Sequence, residues 1–410
     1  MSEITSASYN QQDIKLMNRS TVLRLLCVHG MLSRTQLSSL TGMSRAAITN
    51  IVNEMLQRGI VSECDPADSK ELRGRRPISL KILPGQFVAI GVNISRGKIK
   101  GVLLDLNGTT HKILVAPLAD ETAASLMAKL FSIIDYLLEH FHEYGKRCIG
   151  IGLSALGPID LSTGTLLTPT YFNNISNIPL KQLLEDRYSY PIIVDHDINA
   201  ATIAEKFFGN ARFSDNFVYL GVGQGISCGM CINGSLCKGT RGFCGEIGHC
   251  SVNPHGELCS CGNRGCLELY VSTRAILERV RNDIATGEKT QLAENTNITW
   301  EGFIQAVSER DLYAYSVLRD AISVLSNSVV TLINMLDPEL IIIGDSLALG
   351  GEVVIDMLKR MIATKAYCSD HVSVPIQLSQ LHDHSPAVGA ACVVLNSLFN
   401  SEINIFDGRL

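Results

Sequence analysis

The 410-residue sequence lacks the features that mark membrane and exported proteins. It has no uninterrupted apolar run near the roughly 20 residues that a membrane-spanning helix needs. Its first twenty residues are polar and carry both signs of charge, which is typical of neither a secretory signal nor a transit peptide. It contains one tryptophan and no low-complexity segment. We therefore expect a globular, cytoplasmic protein.

Cysteine is not scarce, since the sequence contains 13. An odd number of cysteines in a long chain without an export signal favours reduced thiols, with metal binding wherever the thiols cluster. The length favours two or three domains rather than one compact core.

The net charge of -5 is distributed unevenly. Residues 1–85 contain 11 Lys and Arg against 7 Asp and Glu, whereas the remainder contains 24 against 33. A basic N-terminal domain on an acidic body indicates a polyanionic partner at the N-terminal end. Chance variation in a short segment is the alternative explanation.

The stretch "SRTQLSSLTGMSRAAITNIVNEMLQRGI" carries two helix start signals. Ser33 and Ser44 each precede a helical run and can cap its free N–H groups, and Gly42 supplies the turn between the runs. In the second run the apolar residues recur at helical spacing and must face inward. The opposite face is short and polar and suits the base edges of a DNA major groove; it comprises Arg45, Ala46, Thr49, Asn50 and Asn53.

Two predicted strands, "IVSEC" and "ISLKIL", flank the loop "DPADSKELRGRRP", which is typical of a winged hairpin. Arg73, Arg75 and Arg76 at its tip suit phosphate or minor-groove contacts. We predict a winged helix-turn-helix DNA-binding domain over residues 1–84. A three-helix protein-interaction module with a solvated loop is the alternative.

From Phe87 onward the pattern changes to strands alternating with helices, which predicts an α/β body. The stretch "FVAIGVNISRGKIKGVLLDLNG" gives strands joined by tight turns, and "NFVYLGVGQGISCGMCINGSL" repeats that arrangement. We therefore expect two duplicated lobes with a cleft between them. The first lobe is predicted over residues 85–200 plus about 384–400, and the second over residues 201–383, with an oligomerisation surface.

Residues 246–268, "EIGHCSVNPHGELCSCGNRGCLE", contain the spacing H-x9-C-x-C-x4-C. Because glycines let the backbone double back, His249, Cys259, Cys261 and Cys266 can converge on one tetrahedral ion. Three thiolates and an imidazole favour structural zinc. The adjacent Cys250 is expected to point away, and free thiols in a loop are the alternative.

The same stretch resembles the signature of the ROK family of repressors and sugar kinases, and the resemblance extends over nearly the whole chain. It implies an actin-like, hexokinase-related fold with two lobes. It also implies that Glu246, His249 and Glu268 hold sugar hydroxyls, and that Asp197 in "VDHDINAA" matches the catalytic base of the kinases.

The nucleotide-binding elements of the kinases are altered here. The first phosphate loop, D-x-G-G-T in the kinases, corresponds to "NISRG", and the second, G-T-G-x-G, corresponds to "GVGQG". Side chains at Ser95 and Arg96 crowd the first loop, Asn93 replaces its aspartate, Val222 removes a hydroxyl from the second, and Asp345 replaces an expected glycine. We therefore expect no enzyme activity, with Asp197 as a vestigial base that contacts sugar. An active hexose or N-acetylhexosamine kinase is the alternative.

The added N-terminal domain resembles that of the repressor branch of the family. The resemblance implies a homodimer or tetramer on a palindromic operator in double-stranded DNA, controlling carbohydrate uptake or catabolism genes. The expected effector is a sugar or sugar phosphate that closes the cleft. A sugar-transporter subunit is the alternative inducing partner.

Overall fold

The structure is a computed structural model that describes residues 10–64, 78–118, 122–168, 175–294, 297–363, 365–367, 373–381 and 384–406. Within these ranges the chain forms a small N-terminal domain, residues 10–82, and a body of two α/β lobes. The expected fold class is confirmed.

The N-terminal domain has three helices and a three-stranded sheet of order β1-β3-β2. Its elements are α1 (Gln11–His29), β1 (Met31–Ser33), α2 (Arg34–Thr41), α3 (Arg45–Gln57), β2 (Val61–Cys64) and β3 (Ser79–Ile82). The start of α1 is set by a capping box in which Asn10 and Asp13 bond each other's backbone N–H groups.

The predicted caps are present. The hydroxyl of Ser33 accepts the Gln36 N–H, the hydroxyl of Ser44 accepts the Ala47 N–H, and Gly42 ends α2 at φ +70°. Strands β2 and β3 pair antiparallel, as the winged hairpin requires. Arg73, Arg75 and Arg76 lie outside the described residues.

Lobe 1 contains a five-stranded sheet of order β10-β7-β4-β5-β6. Its strands are β4 (Phe87–Ser95), β5 (Lys98–Asp105), β6 (Thr110–Pro117), β7 (Arg147–Ala155) and β10 (Ile192–His196), with a two-stranded β8 (Ile159–Asp160) and β9 (Thr165–Leu166) beside it. Its helices are α4 (Ala123–His140), α5 (Leu180–Glu185), α6 (Asp197–Phe208) and, from the end of the chain, α12 (Ser385–Phe399).

Lobe 2 repeats this arrangement with a sheet of order β15-β14-β11-β12-β13. Its strands are β11 (Phe217–Val222), β12 (Ile226–Ile232), β13 (Ser235–Leu236), β14 (Leu340–Gly344) and β15 (Ile376–Leu378). Its helices are α7 (Glu268–Val271), α8 (Thr273–Ala285), α9 (Trp300–Ser308), α10 (Leu312–Leu336) and α11 (Gly351–Ile362). In both sheets an antiparallel meander is followed by two parallel strands, so the lobes have the same topology, as the repeated sequence pattern predicted.

Helices α6 and α12 pack against each other and on the lobe 1 sheet. A Cβ on Gly152 would collide with the backbone of α12, and a Cβ on Gly389 would collide with the Ala200 backbone in α6. These glycines let the main chains approach closely. The boundary expected between residues 200 and 201 falls inside α6, which ends at Phe208.

The N-terminal domain packs directly on the body and shares one hydrophobic core with lobe 1 and α12. The Cys27 thiol donates to the Leu106 carbonyl across this interface at 3.2 Å. The Arg19 guanidinium lies 5.3 Å from the centre of the Phe406 ring. Phe406, which follows α12, is the last residue that the structure describes.

Helix α10 is long and apolar enough, by length and composition alone, to cross a membrane. Half of its most apolar window is buried inside lobe 2, where Val317, Leu325 and Val329 belong to the core. The same test is passed by core helices of globular proteins.

Candidate functional site

The two lobes enclose a cleft with a cavity of about 480 Å³. The polar side chains that line it are Asn93, Arg96, Lys98, Lys100, His196, Asp197, Gln224, Glu246, His249, Glu268 and Asp345, with others. The structure therefore brings together all four side chains predicted to hold sugar hydroxyls. A larger cavity of about 880 Å³, between α1 and the body, contains none of these four.

Asp197 is the first residue of α6, and its carboxylate accepts the Ile198 N–H at 2.7 Å. Burial raises the pKa of this carboxyl to about 7. The backbone hydrogen bond opposes the increase, and the charges of Asp345 and Glu246 add to it. Asp197 can therefore accept or donate a hydrogen bond near neutral pH.

The two glutamates come from opposite ends of the cysteine-rich loop. Glu246 precedes a short 3-10 turn, Ile247–His249, and Glu268 begins α7 and is buried. Burial raises the pKa of Glu246; the His249 charge opposes this increase and the Glu268 charge reinforces it. The loop thus holds two carboxylates and an imidazole on one wall of the cleft.

The loop also brings together His249, Cys259, Cys261 and Cys266, whose ligand atoms all lie within 4.8 Å of one another. The Cys259 Sγ to His249 Nδ1 distance is 3.7 Å, and the Cys261 Sγ to Cys266 Sγ distance is 3.6 Å. This cluster could hold a metal ion. The exposed Cys250 is not a member, as expected.

His249 belongs both to the wall of the cleft and to the cluster of possible metal ligands. Its Nδ1 faces the thiol of Cys259, and the same side chain lines the cleft. Because the two ring nitrogens point in different directions, Nε2 is the atom available to a molecule in the cleft.

The stretches that resemble phosphate loops are filled by side chains. The buried Asn93 amide donates to the Ser154 hydroxyl at 3.0 Å. Asp345 has φ +60° and places its carboxylate against Gly223, where a Cβ would collide with it. The backbone of the second loop is therefore covered by the Asp345 carboxylate.

In the N-terminal domain, Ser44 caps α3, so Arg45 is its first residue. Arg45, Ala46, Asn50 and Asn53 are exposed on one face. Thr49 is half-buried, and its hydroxyl donates back to the Arg45 carbonyl at 2.8 Å. The predicted DNA-contact face therefore exists as an exposed surface, with the Thr49 methyl group rather than its hydroxyl available.

Sequence reasoning missed Lys100, which lines the cleft and is only 3% exposed. Its signal was a second lysine inside the otherwise apolar strand "KIKGVLLD", since buried lysines are rare. Cys237 and Cys244 form a second pair of neighbouring thiols. They are half-exposed, and their Sγ atoms lie 3.6 Å apart.

Comparisons with known proteins agree with this geometry. The model of the ROK family matches residues 89–397. The xylose repressor of Caldicellulosiruptor bescii is 28% identical over 404 residues, covering 95% of this chain and 98% of the relative. The DNA-binding transcriptional dual regulator NagC of Escherichia coli K12 is 28% identical over 387 residues, covering 94% of each.

Among solved structures, a ROK family transcriptional regulator described as a homologue of the E. coli MLC protein superposes with a TM-score of 0.81 at 25% identity. The match covers 95% of this chain and 97% of that one, so it includes the N-terminal domain as well as the body.

The raised pKa of Asp197 predicts how the stability of the ligand-free protein depends on pH. The unfolded carboxyl ionises near its ordinary value of 3.8 and the folded one at about 7. The free energy of unfolding should therefore fall as pH rises from about 4 to 7, by at most about 1.4 kcal/mol per pH unit from this group. Denaturant titrations of wild type and Asp197→Asn should show the variant gaining relative stability as pH rises. The exposed Asp186→Asn serves as the control, and parallel curves for wild type and Asp197→Asn would contradict this assignment.

Proposed function

Because the chain belongs to the ROK family, we propose that it is a sequence-specific DNA-binding transcriptional regulator, a cytoplasmic repressor of carbohydrate-uptake or catabolism genes. A sugar or sugar phosphate in the cleft controls it. One observation carries this proposal: the body whose cleft gathers Asp197, Glu246, His249 and Glu268 packs directly on the N-terminal domain that presents the exposed face of α3.

The chemistry of the cleft suits a carbohydrate. Ionised Glu246 and Glu268 accept hydrogen bonds from hydroxyl groups, and Nε2 of His249 adds a donor or acceptor between them. A cavity of about 480 Å³ is within the range of small-molecule sites. Lys100 and Arg96 line the same cavity and favour a ligand that carries a phosphate.

We propose that the body does not transfer phosphate. A kinase needs bare backbone and cations around the nucleotide phosphates. Here the Asp345 carboxylate lies against Gly223 and would repel a phosphate, while Asn93 bonds to Ser154 rather than remaining free to organise a metal ion. Asp197 then binds a sugar hydroxyl instead of activating it.

This exclusion predicts that wild type binds Mg-ATP immeasurably weakly and phosphorylates no hexose or N-acetylhexosamine. Asp345→Gly should increase the association constant for ATP at least about tenfold, since like-charge repulsion of about 1.4 kcal/mol or more disappears. Asp337→Gly is the matched control because Asp337 also has a positive φ, +44°, and follows α10 instead of facing the cleft. Calorimetry and a coupled kinase assay give the two readouts. Turnover by wild type that Asp197→Asn abolishes would establish the kinase alternative.

We propose structural zinc for the cluster of His249, Cys259, Cys261 and Cys266. Ligands about 2.3 Å from a tetrahedral zinc ion lie about 3.8 Å apart, close to the 3.6 and 3.7 Å separations in this loop. Bound zinc would fix the loop and thereby the His249 ring beside the two glutamates.

Purified protein should therefore contain one zinc per chain, and Cys266→Ser should lose it. Chelation should lower the thermal midpoint of wild type by about 5 °C or more and leave that of Cys266→Ser unchanged, because zinc binding adds to folding free energy. Cys250→Ser, next to a ligand but outside the cluster, should keep both metal and chelator sensitivity. Equal stability of wild type with and without chelator would count against the site.

Two helices link the cleft to the N-terminal domain. Helix α6 starts at Asp197 in the cleft, and the Phe213 ring that follows it lies 5.2 Å from the His29 ring of α1. Helix α12 begins at Ser385, its second residue Pro386 lines the cleft, and the chain beyond it leads to Phe406 under Arg19. A ligand that favours one lobe arrangement would shift the N-terminal domains of a dimer or tetramer on their operator. A sugar-transporter subunit could act through the same body.

The DNA-contact face yields the principal test. Genomic fragments of the source organism selected by the purified protein should contain palindromic sites, and sugars or sugar phosphates should change the affinity for them. Asn50→Ala and Arg45→Ala should each weaken binding by about 1–3 kcal/mol, or about 5- to 150-fold. The exposed body residue Asn282 gives the matched control Asn282→Ala. Unchanged affinity of both N-terminal variants would mean that another surface reads DNA.

A further inference from the structure

Residues 237–245, here called the strap, leave the lobe 2 sheet and return to it. At one end the Cys237 N–H donates to the Met230 carbonyl, and at the other the Gly245 carbonyl accepts the Cys228 N–H. Both bonds are to β12, so the strap is a loop with two anchored ends. Glu246, on the cleft wall, follows it directly.

Between its ends the strap reaches lobe 1. The Lys238 ammonium lies 2.6 Å from the carboxylate of Asp195, which is fully buried in β10. A Cβ on Gly242 would contact the side chain of Leu161, which follows β8. The strap therefore holds the two lobes together beside the cleft.

Phe243 extends this contact into the cleft itself. Its ring lines the cavity, is 44% exposed and lies 6.4 Å from the His196 ring, centre to centre. The position of the strap thus affects both the separation of the lobes and access to the cavity.

Two thiols meet at the base of the strap. The Sγ atoms of Cys237 and Cys244 are 3.6 Å apart, and both residues are partly exposed. Within the described residues the one metal-binding cluster is that of His249 and its three cysteines, which includes neither thiol. A disulfide requires about 2.05 Å between sulfurs, a change that side-chain rotation in this glycine-rich loop can supply.

We propose that Cys237 and Cys244 form a thiol–disulfide exchange site that reacts with low-molecular-weight disulfides of the glutathione type and locks the strap across the cleft. The Cys237 thiolate attacks one sulfur of the oxidised disulfide, forms a mixed disulfide and releases one thiol. The Cys244 thiolate then attacks the Cys237 sulfur and displaces the second thiol. The two cysteine protons end on the two released thiols, so the protein is oxidised and the small disulfide is reduced.

The order of attack follows from the surroundings of the two thiols. Burial and the neighbouring Cys237 raise the pKa of the Cys244 thiol. We therefore assign Cys244 as the resolving partner. The strap then carries the covalent link at its base and the Lys238 to Asp195 ion pair at its crossing.

This site does not depend on which molecule fills the cleft, so it can be tested without a known effector. Zinc-loaded full-length wild type is incubated with oxidised and reduced glutathione, free thiols are alkylated, and peptides are mapped by mass spectrometry. We expect a Cys237–Cys244 cross-link, release of two glutathiones, retained zinc, and reversal by reductant. Hydrogen exchange of the strap amides should slow at least about threefold in the oxidised protein.

Single-cysteine variants distinguish formation of the mixed disulfide from formation of the Cys237–Cys244 disulfide. Cys237→Ser and Cys244→Ser should each retain a stable glutathione adduct on the remaining thiol and show no slowing of strap exchange. Cys64→Ser, which removes a half-exposed thiol of the N-terminal domain, should behave like wild type. The proposal is overturned if wild type shows no Cys237–Cys244 cross-link while Cys64 or Cys250 takes up glutathione. It is equally overturned if the cross-link forms and the exchange of the strap amides is unchanged.

Discussion

The close contact between helices α6 and α12 is the constraint on which the rest of the structure depends. At Gly389 and Ala200 the two backbones approach so closely that only glycine fits in α12. Both helices also lie on the lobe 1 sheet, where Gly152 removes the side chain that would hold α12 away. Because closely packed interfaces have discrete rather than continuous arrangements, the pair moves as a unit or repacks. Each helix begins at the cleft and leads to the N-terminal domain. Their contact therefore connects the cleft with the domain that carries the predicted DNA-contact face.

The cleft also brings several acidic side chains close together. Asp197, Glu246, Glu268 and Asp345 place four carboxylates around one cavity. Burial raises the pKa of Asp197 and Glu246, and repulsion from neighbouring carboxylates adds to the increase. In the proposed function, a neutral sugar would relieve this repulsion through its hydroxyl groups, whereas a triphosphate would add like charge at Gly223. The proposed repressor would in this way keep carbohydrate affinity while excluding the nucleotide.

Much of this could be predicted from local sequence signals. Helix caps at Ser33 and Ser44, the cysteine spacing and the repeated strand pattern are short-range chemistry, and the structure contains all of them. What the sequence did not indicate depends on contacts between distant residues. The Lys238 to Asp195 ion pair and the Cys237 to Cys244 approach exist only because the strap crosses to lobe 1. The start of α1 at Gln11 is likewise set by a polar capping box and not by apolar periodicity.

The duplication of the lobes explains why the N-terminal domain sits where both helices end. Helix α6 follows β10 as α12 follows β15, and each of these strands lies at an edge of its sheet. Ligands in such sheets bind at the carboxyl ends of parallel strands, so both helix N-termini face the cleft and both C-termini face away. Strand β4 is parallel to β7, and its first residues pair with the last residues of β5. Leu106 follows β5 directly, and its carbonyl accepts a hydrogen bond from the Cys27 thiol of the N-terminal domain. A domain fused ahead of β4 therefore starts on the side away from the cleft, beside the ends of α6 and α12. Its coupling to the ligand follows from the topology and requires no dedicated linker.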